Sequence, residues 1–208
     1  MTGRGRWRVG VALAVAAVSG LSLAVAPPAQ ARESRDRYAI GDSVMLGART
    51  ALKSAGFGVD AAESRQAYAG PALLRRRGEQ LPRNVVVHLG TNGTYRLDEC
   101  KAIVRAAGSE RRVFLVTIRV PRSWERRNNA VIRQCDAAFA DDRVHVVDWA
   151  GAAADNPRWL YSDGIHLRPE GAVAFTRLID EAVDDAVRAA RRAALSAASG
   201  SGTATIVG

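Results

Sequence analysis

Three short polar clusters hold residues that can do chemistry together. Gly41-Asp42-Ser43 places a hydroxyl directly after a glycine turn. Asp163-Gly164-Ile165-His166 places a carboxylate three residues before an imidazole. Gly90-Thr91-Asn92-Gly93 sets a side-chain amide between glycines. A serine hydroxyl is a weak nucleophile and needs a base within hydrogen-bond reach. His166 can be that base. Asp163 can hold its tautomer and stabilise the imidazolium formed as Ser43 gives up its proton. Asn92 and the Ser43 N–H can donate to the oxyanion of a tetrahedral intermediate, each such donor contributing about 3 kcal/mol. The chemistry implied is acyl transfer through an acyl-serine. Each member also has a plainer reading: Ser43 as a helix N-cap, Asn92-Gly93 as a turn pair, Asp163-Gly164 as a loop turn. Their joint placement favours the chemical one. His88 and His145 lie inside apolar runs and read as structural. Asp148 is a second candidate acid, with a less favourable spacing than Asp163.

For these clusters to meet, the chain must bring distant segments to one edge. Segments 38–40, 59–62, 85–89, 113–120 and 144–147 read as strands, from their β-branched, apolar composition. Segments 44–54, 71–80, 97–107, 123–139 and 169–195 read as helices. Such alternation predicts a three-layer α/β/α sandwich around a five-stranded parallel sheet. In the flavodoxin-like order 2-1-3-4-5, ligands bind at the carboxyl ends of the strands, where all three clusters fall. The same order sets the helices after strands three and four side by side. Cys100 lies on one and Cys135 on the other.

The chain has 208 residues, enough for one domain with appendages, and its 48% hydrophobic content excludes wholesale disorder. Arg4, Arg6 and Arg8 precede an apolar stretch, 9–26, and the small-x-small site Ala29-Gln30-Ala31. Residues 1–31 therefore read as an export signal, with an uncleaved membrane anchor as the alternative. Residues 32–195 read as the catalytic domain and 196–208 as a loose tail. Outside the cytosol, Cys100 and Cys135 are expected to form a disulfide. The formal net charge is +9, yet only Lys53 and Lys101 among the 30 basic residues are lysines, and no long basic block occurs. Nucleic-acid binding is not expected. Neither is a metal or cofactor: no zinc-ligand spacing, no carboxylate pair for glycoside hydrolysis and no P-loop lysine stand out. A monomer is expected.

Gly41-Asp42-Ser43, Gly90-Thr91-Asn92 and Asp163-x-x-His166 resemble, in order and spacing, the block motifs of the SGNH/GDSL hydrolases. The resemblance spans Tyr38 to about Ala190. It implies Ser43 as nucleophile, His166 as base, Asp163 as its partner, and an oxyanion hole of Ser43 N–H, Asn92 and a block II glycine. Ser64 stands where that glycine belongs, with Gly70 a weaker substitute. The segments 39–46, 64–66, 119–125, 147–149 and 163–171 are similar to the extracytoplasmic SGNH domain of OatA-type peptidoglycan O-acetyltransferases. In that family the domain follows a multi-pass membrane acyltransferase. The expected substrate is an O-acylated cell-wall glycan or a small ester. Either a separate membrane acyltransferase supplies the acetyl group or the chain acts as a free-standing esterase. Trp124 reads as an apolar or sugar-stacking wall, or as a helix-start packing residue; Trp149 and Trp159 read as packing. The rival to an enzyme is a non-catalytic wall-binding module on the same fold.

Overall fold

The computed structural model describes residues 36–139 and 142–200. The expected export signal lies outside them, as does the chain beyond Gly200. Strands β1 (Arg37–Gly41), β2 (Gly58–Ala61), β3 (Asn84–His88), β4 (Arg112–Val116) and β5 (Val144–Val147) form one sheet. Its order is β2-β1-β3-β4-β5, with every pair parallel. The helices are α1 (Ser43–Gly47), α2 (Arg49–Ser54), α3 (Gly70–Arg77), α4 (Leu97–Ala107), α5 (Glu125–Ala137), α6 (Trp149–Asp155) and α7 (Pro169–Gly200). This is the predicted three-layer sandwich.

The strands are apolar on both faces because both faces are covered. Val85 and Val87 point into one core with Ile40, Leu74, Ile103 and Ile132. Val86 points into the other, with Met45, Leu52, Trp149 and Phe175. Each fully buried side chain of this size contributes about 1.5–3 kcal/mol. Trp149 stacks on Trp159 at 5.9 Å and meets the edge of Phe175 at 5.1 Å. The two tryptophans are packing residues, as expected. The Arg37 guanidinium pairs with Asp180 and Asp184, fastening α7 to the start of β1. Cys100 on α4 and Cys135 on α5 form a buried disulfide with a Cα–Cα distance of 6.2 Å.

The structure corrects three boundaries and adds one helix. The helix expected over 44–54 is two, broken at Ala48 just after Gly47, a poor helix former. The fourth strand stops at Val116 instead of running to 120. Thr117 N–H still donates to the Val147 carbonyl, and the backbone beyond it turns to side chains of α5: Ile118 N–H donates to Asn129 Oδ1 (2.8 Å) and Val120 N–H to Glu125 Oε2 (2.6 Å). Helix α6 is an addition to the expected elements; Asp148 caps it, accepting from Gly151 N–H. The last helix continues to Gly200, five residues into the expected tail. Its Ala and Ser residues offer no stop signal before that glycine.

Candidate active site

The carboxyl ends of β1 and β3 lie side by side, with Gly41 opposite His88. Ser43 follows β1 at the start of α1, and Asn92 lies in the loop after β3. The turn into Ser43 requires a glycine at 41, since a Cβ there would stand 2.5 Å from the Met45 Cβ. Asp42 caps α1 by accepting from Val44 N–H at 3.1 Å.

Asp163 and His166 come from the loop before α7. An isolated antiparallel bridge, Leu160↔Leu167, closes that loop. Inside it Tyr161 N–H donates to the His166 carbonyl, and Gly164 N–H to the Tyr161 carbonyl, both at 2.9 Å. A Cβ on Gly171 would lie 2.1 Å from the Trp159 carbonyl oxygen, so only glycine allows α7 to dock this closely under the loop. Asp163 Oδ1 accepts from Ile165 N–H (2.8 Å) and His166 N–H (3.0 Å). Its Oδ2 lies 2.7 Å from His166 Nδ1, and His166 Nε2 lies 3.2 Å from Ser43 Oγ. Partial burial works against the Asp163 charge, but the imidazole and the two amides outweigh it and hold the carboxyl below its ordinary range. Both side chains stay wet, with 48% of His166 and 44% of Asp163 exposed, so water reaches the imidazole.

A cavity of about 400 Å³ brings Ser43, Ser64, Asn92, Trp124 and His166 together. Asn92 Nδ2 donates to the Arg65 carbonyl at 3.4 Å, and Asn92 lines the same cavity as Ser43. Ser64 has φ +53°, the left-handed region that glycine enters freely, which accounts for the glycine expected at this place. Gly70 begins α3 instead. Trp124 precedes α5 and walls the cavity, its Nε1–H donating to the Thr91 carbonyl at 3.2 Å.

Three residues weighed in the sequence stay apart from this group. His145 stacks on Phe114 at 4.8 Å. Asp148 caps α6 and accepts from Thr117 Oγ1 at 2.9 Å. His88 is fully buried and sits 3.2 Å from Asp42 Oδ1. That buried pair beneath Ser43 is what sequence reasoning missed. Burial opposes the Asp42 charge, yet the His88 ring and the Val44 amide keep its carboxyl below the usual range. A histidine directly after the apolar run Val85–Val87 was the available signal, because buried polar groups require partners.

This fold has known counterparts. No family model matches the chain. The O-acetyltransferase OatA of Staphylococcus aureus (strain NCTC 8325 / PS 47) is 36% identical over 145 residues, 67% of this chain and 24% of that protein. The C-terminal catalytic domain of the Streptococcus pneumoniae peptidoglycan O-acetyltransferase OatA, solved with a methylsulfonyl adduct, superposes with a TM-score of 0.63. It is 22% identical, and the match covers 75% of this chain and 94% of that one. The chain belongs to the SGNH hydrolase family. A mutant acetyl esterase solved with an acetate ion shares the fold too, with a TM-score of 0.57, 18% identity and coverage of 74% and 99%. The SGNH chain thus spans about a quarter of the length of the O-acetyltransferase it matches in sequence. Among the described residues, no helix is long and apolar enough to cross a membrane.

Proposed function

We propose that the chain is an exported serine enzyme that moves acetyl groups on or off a cell-wall glycan through an acetyl-Ser43 intermediate. The observation that carries this reading is the continuous contact from Asp163 through His166 to Ser43, at 2.7 and 3.2 Å, across 123 residues of sequence. Kinship with peptidoglycan O-acetyltransferases supports the choice of acetyl group and glycan.

Ser43 Oγ attacks the ester carbonyl while His166 Nε2 takes its proton. Asp163 keeps the remaining ring proton on Nδ1 and offsets the imidazolium charge. The carbonyl oxygen becomes an oxyanion, held by the Ser43 N–H, Asn92 Nδ2 and the Ser64 N–H. The intermediate collapses, the leaving alcohol takes the proton from His166, and acetyl stays on Ser43. His166 then deprotonates the acceptor. Its oxygen bonds to the acetyl carbon, the bond to Ser43 Oγ breaks, and Oγ regains the proton. Water as acceptor gives hydrolysis; a sugar hydroxyl gives transfer. The exposed imidazole admits water, so hydrolysis proceeds when no glycan covers the cleft.

A serine-directed phosphonate fluoride tests the reading. Intact-mass and peptide mapping should find one adduct, on Ser43, in the folded wild type and none in Ser43→Ala. An unlabelled Ser43 would instead favour a non-catalytic wall-binding module.

A further inference from the structure

Ser43 stands where two cavities meet, and both contain Ser64, Asn92 and His166 as well. One, of about 400 Å³, runs on to Val120, Arg122 and Trp124. The other, of about 550 Å³, runs on to Leu46, Gly47 and Glu63. Each lobe has the volume of a ligand-sized site. An acetyl group needs only a corner of either, so the remaining space belongs to what carries or receives it.

The lobes carry full charges of opposite sign. Arg122 lines the first and Glu63 the second. Neither has an ion-pair partner among the described residues. Nearby arginines are committed: Arg65 to Asp60, and Arg119 to Glu125. The loop under Arg122 is fixed. Its N–H donates to the Val120 carbonyl at 2.7 Å, and its carbonyl accepts from Glu125 N–H at 3.1 Å. The Glu125 carboxylate meanwhile accepts from Arg119 and from Val120 N–H. The fixed backbone sets where the Arg122 side chain starts, and a guanidinium matches a carboxylate through two parallel bonds.

We propose that the two lobes hold an interior stretch of a glycan chain, with a carboxylate substituent of the glycan on Arg122. The proposal deepens, and rests on, the acyl-transfer reading above. Glu63 repels that carboxylate from the other lobe, so the chain lies across Ser43 in one direction. The hydroxyl between the lobes is then the group that gives its proton to His166 and takes the acetyl from Ser43.

The test uses a matched pair: a glucosaminyl-muramoyl tetrasaccharide with free lactyl carboxylates, and its methylamide. Each is supplied as acceptor with 4-nitrophenyl acetate, and each as its 6-O-acetyl ester. The preference is therefore read whether acetyl goes to sugar or to water. An exposed pair is worth up to about 1 kcal/mol, which predicts a preference of about fivefold in kcat/KM for the acid at low salt. The preference should vanish in Arg122→Gln through KM, partly return in Arg122→Lys, and invert in Arg122→Glu. Equal use of both by the wild type, or a preference that survives Arg122→Gln, overturns the proposal. Release of 4-nitrophenol separates the two levels. A wild type that releases none overturns the acyl-transfer reading and this proposal with it. Release without charge preference overturns this proposal alone.

Discussion

Replacing Asp163 by Asn keeps the size of the side chain and changes what His166 can do. The Asn carbonyl can still accept from the Ile165 and His166 amides, which now bond to Asp163 Oδ1 at 2.8 and 3.0 Å. Its NH₂ group then faces His166 Nδ1, where Oδ2 stood at 2.7 Å. Two donors cannot share that contact, so the ring proton moves to Nε2. Nε2 then points a proton, not a lone pair, at Ser43 Oγ. Restoring the productive tautomer leaves a donor without a partner, at a cost of about 1–3 kcal/mol. Loss of the carboxylate also removes its attraction for the imidazolium. With charge centres about 4 Å apart this is worth about 1 kcal/mol in water and about 4 at the effective dielectric of a protein surface. The half-exposed pair lies between these limits, at about 2–3 kcal/mol. Together the two effects reach about 3–6 kcal/mol, a slowing of about 10²- to 10⁴-fold. The assay is single-turnover acylation by 4-nitrophenyl acetate, with the fold checked by circular dichroism. A loss smaller than tenfold in a folded variant would show that Asp163 does not orient the base, and the reasoning would fail.

Asn92→Ala should lower kcat for the same ester by about 10²- to 10³-fold, because a side-chain donor is lost. Ser64→Ala should stay within about threefold of wild type, because the donor there is backbone; a large loss in Ser64→Ala would reassign that role to the hydroxyl. Asp42→Ala removes a helix cap and leaves His88 buried without its partner, so urea unfolding should report a loss of about 2–4 kcal/mol. The Asp42 carboxyl titrates lower in the folded chain than in the unfolded one, so the unfolded state takes up the proton first. Its contribution is therefore complete above the ordinary aspartate value of about 3.9 and is lost as pH falls through the lower folded value. Unfolding midpoints from pH 7 to pH 2 should fall less steeply at the acid end in Asp42→Asn than in wild type. Removing the disulfide with Cys100→Ala and Cys135→Ala together frees a loop of 35-residue separation, which on chain-entropy grounds costs about 4 kcal/mol; the loss of melting temperature checks it.

The residues of the site and the layers of the fold were legible in the sequence for one physical reason. Strand and helix periods are local, and a parallel sheet buried on both faces makes its strands apolar throughout. Val85, Val86 and Val87 therefore announce β3, and the polar residues that follow must lie at its carboxyl end. The Asp163–His166 spacing is local too, and one loop suffices to join the pair. Boundaries that depend on partners elsewhere were not legible. Val113 to Val120 is uniformly strand-like, yet β4 ends at Val116: Thr117 N–H makes a last bond to the Val147 carbonyl, and the Ile118 and Val120 amides then go to Asn129 and Glu125 on α5. Those competing hydrogen bonds come from side chains of a following helix, 11 and 5 residues on, whose placement no strand propensity records. Asp42 and His88 each looked unremarkable alone; only the register of β1 against β3 buries them together. Only the fold, likewise, could decide that Arg122 and Glu63 flank one serine from two sides. The sequence by itself determined the chemical groups, their order and the sheet that carries them. The tertiary structure decided distances, partners and the shape of the cleft, because each of these is set by segments that meet only once the chain has folded.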